Sequence, residues 1–185
     1  MDPRHAVLIT VSEEPSATLV GRTLLQKKIY FASFLVQDDL SFKPHYYGPF
    51  SQEVANATDS LVSNRFIEEQ VEVFPDRNMF GERRRHSYKI TDDGLELLRS
   101  ISDQPDVRRW REALNRINSH PVATDFNLLS TAAKVVTVLT DIREGRTSEI
   151  REKAQQYGWN LTNEQINSVA EFLESLGLTR KQEET

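Results

Sequence analysis

The densest run of chemistry-bearing side chains in this 185-residue chain is Arg83-Arg84-Arg85-His86. Guanidinium groups fork onto phosphate or carboxylate, and an arginine-rich ribbon suits the minor groove or the backbone of a duplex. From Asp76 to Lys89 there are five cations, Arg77, Arg83, Arg84, Arg85 and Lys89, against Asp76 and Glu82, a net of +3. A second group is polar. Gln52, Asn56, Asp59 and Ser63 recur at helical spacing and fall within about 60° of one another around a helix. Gln and Asn can pair with adenine, and Ser with base or phosphate. A third group is Lys27 and Lys28, placed with Arg22 on the polar side of a helix, where they either approach phosphate or serve as plain surface charge. Catalytic and metal chemistry find no candidates. The four His are scattered without zinc spacing, and there is no Cys, no Gly-rich phosphate loop and no G-x-S-x-G. No catalytic residue, metal or cofactor is therefore expected, and the chain reads as a non-enzyme.

The elements that must position these groups follow from periodicity. Residues 3–12 form a helix. A second, with Thr23 as N-cap, runs through Leu24, Leu25, Ile29, Phe31, Ala32, Leu35 and Val36. An extended aromatic stretch, Ser41 to Tyr47, turns at Gly48-Pro49, with Phe42, Tyr46, Tyr47 and Phe50 read as core beneath it in preference to a recognition pocket. Ser51 caps a third helix whose Val54, Ala57, Thr58, Leu61 and Val62 form one buried stripe. Val71 and Val73 alternate as a strand, Pro75 to Gly81 is a loop, and Arg83 to Ile90 returns as the second strand of a hairpin. Thr91 caps the next helix, with Asp92 and Asp93 favourable in its first turn.

Helix, helix, extended piece, helix, hairpin, helix is the order of a winged helix with an added C-terminal helix. The predicted fold class is α+β and mostly helical: a winged helix-turn-helix domain over residues 1–102, a connecting helix over 105–120, a small three-helix C-terminal segment over 121–180 and a frayed tail at 181–185. In that segment Thr147 or Ser148 caps the second helix, Thr162 and Gln165 form a capping box for the third, and Gly177 closes it. Val107, Trp110, Leu114 and Ile117 make a narrow stripe on the connecting helix. It reads equally as a dimerisation face or as packing against the C-terminal helices.

Two motifs carry a family resemblance. Gly21-Arg22-Thr23-Leu24-Leu25-Gln26-Lys27-Lys28-Ile29-Tyr30 resembles a G-[KR]-T-x-L-Q-K-x-[IV]-Y segment, and Tyr46-Tyr47-Gly48-Pro49-Phe50-Ser51 resembles Y-x-Y-G-P-[FY]-S. Both are features of the YwgA-like family of prokaryotic winged-helix proteins, and the resemblance covers about residues 1–102. Lys27-Lys28 departs from it, since one basic residue is usual there. Tyr88-Lys89-Ile90-Thr91 and Gly94 are similar to the junction after the wing in PadR-like and MarR-like regulators. The resemblance implies a DNA-binding or regulatory module.

Composition bounds the partners. With 38% hydrophobic residues, a core is within reach and wholesale disorder is excluded. A net charge of −5 gives no global attraction to nucleic acid, so any such binding is local. No run of 18 apolar residues exists, the N-terminus is a poor signal peptide, and the lack of Cys suits the cytoplasm. Two functions follow as expectations. The first is a homodimeric transcriptional regulator on double-stranded DNA, with Gln52, Asn56 and Ser63 as readers and Arg77, Arg83, Arg84, Arg85, Lys27 and Lys28 supplying charge. Two or three phosphate contacts per protomer are few beside the roughly 6–10 of many DNA-binding proteins, so this function needs self-association. The second is a protein-interaction module, an adaptor or antitoxin-like protein that binds no DNA. In that case Glu68 and Glu72 on the partner strand neutralise the hairpin arginines.

Overall fold

The computed structural model describes residues 1–75, 82–142 and 145–179, with backbone alone at Glu82 and Arg83. Helix α1 (Pro3–Ser12) starts where Asp2 accepts the Arg4 amide at 2.8 Å and Pro3 fills the first turn. Every residue from Ala6 to Val11 is buried, so α1 is a central helix and has no amphipathic face. A two-residue strand, β1 (Leu19–Val20), leads through Gly21 (φ +105°) into α2 (Arg22–Val36). That conformation favours glycine, and Gly21, not Thr23, occupies the N-cap position. β1 has no counterpart in the sequence reading, because two residues are too few to show alternation.

Helix α3 (Gln52–Ser63) is capped by Ser51, whose Oγ accepts the Val54 amide at 3.2 Å. Val54, Ala57, Thr58 and Leu61 are buried, as the stripe required, with Val62 half-buried beside them. Strands β2 (Ile67–Pro75) and β3 (Glu82–Ile90) form the expected hairpin. β1 pairs with the other side of β3, giving an antiparallel sheet of order β1-β3-β2. Its register sets Ile67 opposite Ile90, Glu69 opposite Tyr88 and Glu72 opposite Arg85.

Helix α4 (Asp92–Ile101) begins directly after β3. Thr91 Oγ1 accepts the Gly94 amide at 3.1 Å and donates to the Arg65 carbonyl at 2.7 Å. Helix α5 (Pro105–Asn118) follows, starting on Pro105. A 3₁₀ turn (Pro121–Thr124) precedes α6 (Phe126–Ile142), α7 (Thr147–Gln156), α8 (Asn163–Ser168) and α9 (Ala170–Ser175). Arg146 stands at the α7 N-cap in place of the expected Thr147 or Ser148, where the Glu149 side chain reaches back so that its Oε2 accepts the Arg146 amide at 2.6 Å. The final helix was expected to be continuous. Val169 (φ −108°, ψ −1°) breaks it, and the Thr162–Gln165 capping box starts its first piece.

The molecule is a mostly helical α+β fold whose single core runs from α1 to α9. α2 is packed by α1, α5 and α6, and Phe31 of α2 meets Phe172 of α9 edge to face at 5.3 Å. The expected dimerisation stripe is corrected here. Val107, Trp110, Leu114 and Ile117 are buried within the chain, against α1 and α2, and not against the C-terminal helices alone. Trp110 Nε1 also donates to Asp38 Oδ2 at 2.8 Å. A narrow stripe that fits one neighbouring helix fits any helix, and only the tertiary arrangement chose which.

Gly94 lies where α4 crosses the end of β2. A Cβ there would fall far inside contact distance of the Phe66 carbonyl oxygen and 2.8 Å from Ile90 Cγ1. That carbonyl also accepts the Thr91 amide, so it has no room to retreat. Gly94→Ala should therefore destabilise the protein by about 1–3 kcal/mol, the cost typical of overpacking, read as a lower urea midpoint.

Candidate functional site

The polar stripe of α3 is where the spacing placed it: Gln52, Asn56, Asp59 and Ser63 are all exposed. Its chemistry is more self-contained than a reading helix needs. Gln52 Nε2 donates to Asn56 Oδ1 at 2.9 Å, and Ser63 stands at the far end of the helix. The stripe is flanked by acid. Glu53 accepts the Ser41 hydroxyl at 2.8 Å, and Asp59 lies 4.0 Å from the Arg22 guanidinium.

On the hairpin, Glu72 accepts from Arg85 through Nε at 2.8 Å, and the Arg85 guanidinium lies 5.0 Å from the centre of the Phe74 ring. Lys89 stands opposite Glu68, and Arg84 opposite Val73. Arg77 lies outside the described residues, as does the side chain of Arg83. On the other face one carboxylate gathers three donors. Glu69 Oε1 accepts from His86 Nδ1 at 2.8 Å, Tyr88 Oη at 2.9 Å and Arg22 Nη2 at 3.1 Å. Burial raises the Glu69 pKa, but these hydrogen bonds outweigh it and hold the carboxyl below its usual range. Burial, then the Glu69 hydrogen bond, pushes the Tyr88 phenol up. This cluster fastens the hairpin to the start of α2, and no feature of the sequence spacing disclosed it.

Lys27 and Lys28 are corrected. Both were placed on the solvent side of the second helix, and their side chains are 2% and 1% exposed. Lys28 Nζ pairs with Glu14 at 2.5 Å and Asn118 Oδ1 at 2.9 Å. Lys27 Nζ donates to the Pro49 carbonyl at 2.6 Å. Burial, aided by the nearby charge of Lys134, lowers the Lys27 pKa to about 7. From Leu24 to Ser33, α2 is enclosed by α1, α5, α6 and the 43–50 turn and has no solvent side, and a Lys pair carries no local sign of that enclosure.

The aromatic stretch is corrected too. Phe42 and Phe50 are half-buried, but Tyr46 is 74% exposed and Tyr47 56%. Lys43 and Phe50 exchange backbone hydrogen bonds of 2.9 Å, which closes the segment between them into a turn. Gln26 brackets the base, donating to the Ser51 carbonyl and accepting the Ser51 amide, both at 3.0 Å. Trp159 Nε1 donates to the His45 carbonyl at 2.8 Å. Gly48 (φ +98°) sits so tightly that a Cβ would lie 3.2 Å from Lys27 Cε and 3.3 Å from Lys134 Cγ. The turn is thus supported from beneath by α2 and from the side by the C-terminal helices.

No family model matches the chain. It is similar to the uncharacterized protein YwgA of Bacillus subtilis (strain 168), 27% identical over 176 residues, which span 93% of this chain and 95% of that protein. The match supports a YwgA-like family. The YwgA-like similarity extends well past residues 1–102, so it includes the C-terminal helices that hold the tyrosine turn. No helix among the described residues is long and apolar enough to cross a membrane.

Unfolded, Lys27 titrates near 10.5; folded, near 7. Between these values the unfolded chain holds more protons, so stability rises with pH through that window. Lys27→Met should rise less over the same window, measured by urea unfolding at both ends. Glu14→Ala, which leaves the Lys28 ammonium buried without its carboxylate, should cost about 3–5 kcal/mol by the same method.

Proposed function

We propose that residues 1–102 form a winged helix that works as a protein-interaction module and not as a DNA reader. The winged-helix part rests on element order, α1-β1-α2-α3-β2-β3, with the hairpin as wing and α3 as the helix that DNA-binding relatives of this architecture lay in the major groove. The docking part rests on one observation: two adjacent tyrosines stand largely exposed on a turn fixed by side chains beneath it. Large aromatics held in place lose little freedom on binding and dominate interface energetics.

Charge supports the same reading. Among the residues expected to contact phosphate, Lys27 and Lys28 are spent internally and Arg85 is paired with Glu72. α3 offers Glu53 and Asp59 beside Gln52 and Asn56, with no Lys or Arg from Ser51 to Ser63. Firm duplex binding rests on counterions released by several phosphate contacts, and neither α3 nor these three residues supplies a free cation for them.

The second reading is the homodimeric transcriptional regulator. It is favoured by the run Arg83-Arg84-Arg85 on β3 and by the exposed Gln52 and Asn56. A fluorescent mixed-sequence duplex in about 50 mM salt separates the two, since phosphate contacts are strongest at low salt. The docking module should leave its anisotropy unchanged up to micromolar protein. Saturable binding that weakens with salt and is lost on replacing Arg83, Arg84 and Arg85 by Ala would establish the regulator instead.

A further inference from the structure

We propose that the turn carrying Tyr46 and Tyr47 is the docking site for an acidic, extended segment of a partner protein. This rests on the protein-interaction reading above and names the chemistry of the partner. The two rings cross edge to face, with centres 4.8 Å apart, and both are largely exposed to solvent. The backbone that carries them is set before any partner arrives: the Lys43–Phe50 backbone pair, Lys27 on the Pro49 carbonyl, Gln26 on Ser51 and Trp159 on the His45 carbonyl fix the turn at four points.

The charge around it selects the partner. Residues 42–50 carry exposed Lys43 and His45 and no carboxylate. Lys134, from α6, packs against Gly48 and holds its ammonium 5.8 Å from the centre of the Trp159 ring. Outside the turn, Asp141 is paired with Lys153 at 3.4 Å and also takes the Tyr157 hydroxyl, while Glu53, which takes the Ser41 hydroxyl, keeps its charge at the start of α3. The turn is therefore a cationic spot on a chain of net charge −5, and its complement is a segment bearing Asp or Glu. Carboxylates of that segment would reach Lys43 and Lys134 while a neighbouring apolar residue seats against the tyrosine edges. Crossed rings offer no parallel platform on which successive bases could stack, which disfavours single-stranded nucleic acid.

The test is selection of short random peptides displayed on phage against the immobilised full-length chain. The winners are then synthesised, and their anisotropy is measured with wild type, Tyr46→Ala/Tyr47→Ala, Lys43→Glu and Arg85→Ala. The exchanged turn residues are exposed, so unchanged thermal melting should confirm folding. Winners should be rich in Asp and Glu. Both turn variants should weaken their binding about tenfold or more, and Arg85→Ala should not. Basic or uncharged winners, no winners, equal affinity for the turn variants, or a single-stranded oligonucleotide that outcompetes the winners would each overturn the proposal. Acidic winners that depend on Arg85 and not on the turn would overturn this site while leaving a protein-binding module standing. Duplex binding in the preceding test would remove the module itself.

Discussion

Two consecutive lysine side chains inside the protein set the conditions that the neighbouring elements must meet. Lys27 and Lys28 are about 100° apart around α2, so one neighbour cannot serve both. A buried polar nitrogen without a hydrogen-bond partner is costly enough that each must find oxygen on its own side. For Lys28 the oxygen comes from Glu14, just past α1, and from Asn118, the last residue of α5, which also donates to the Glu13 carbonyl at 2.9 Å. For Lys27 it comes from the main chain at Pro49. Gln26, one residue earlier, binds both backbone groups of Ser51. Three successive polar residues of one helix thereby tie down α1, α5 and the loop that leads into α3.

The loop benefits most. Nothing in the segment from Phe42 to Phe50 forms regular structure beyond its closing bridge, and a free loop of that composition would sample many shapes. Lys27 and Gln26 fix its base, Gly48 lets it lie close to Lys27 and Lys134, and Trp159 holds its outer limb. The exposed tyrosines are consequently rigid at the backbone. The C-terminal helices gain a purpose from this: they complete the support of a turn that belongs to the other half of the chain.

The hairpin follows a different logic. Near the body, Glu69 collects Arg22, His86 and Tyr88 and links β2, β3 and α2. Farther out, the strands leave the core, and Val71, Val73 and Phe74 become exposed. There the register brings Arg85 over Glu72, an exposed pair of the kind worth about 0.2–1 kcal/mol. So weak a pair hardly stabilises the fold, but it does reduce the charge that the ribbon presents.

Several local signals are legible where one residue acts on its own backbone, although Gly21 and Arg146 take the caps expected of Thr23 and of Thr147 or Ser148. Ser51, Thr91 and Thr162 cap helices because a short oxygen-bearing side chain reaches the next amides whatever surrounds it, and Gly177 (φ +74°) closes the last helix for an equally local reason. The α3 stripe and the alternation of the hairpin strands follow from periods of 3.6 and 2, which are also properties of the chain alone. Tertiary structure decided whatever depended on which elements meet. A lysine reads as surface until two helices enclose it, a Tyr-Tyr pair reads as core until its loop is lifted away from one, and the stripe of Trp110 reads equally as a dimer face or as internal packing until α1 and α2 cover it. Burial is a relation between distant segments, and no spacing along the chain records it.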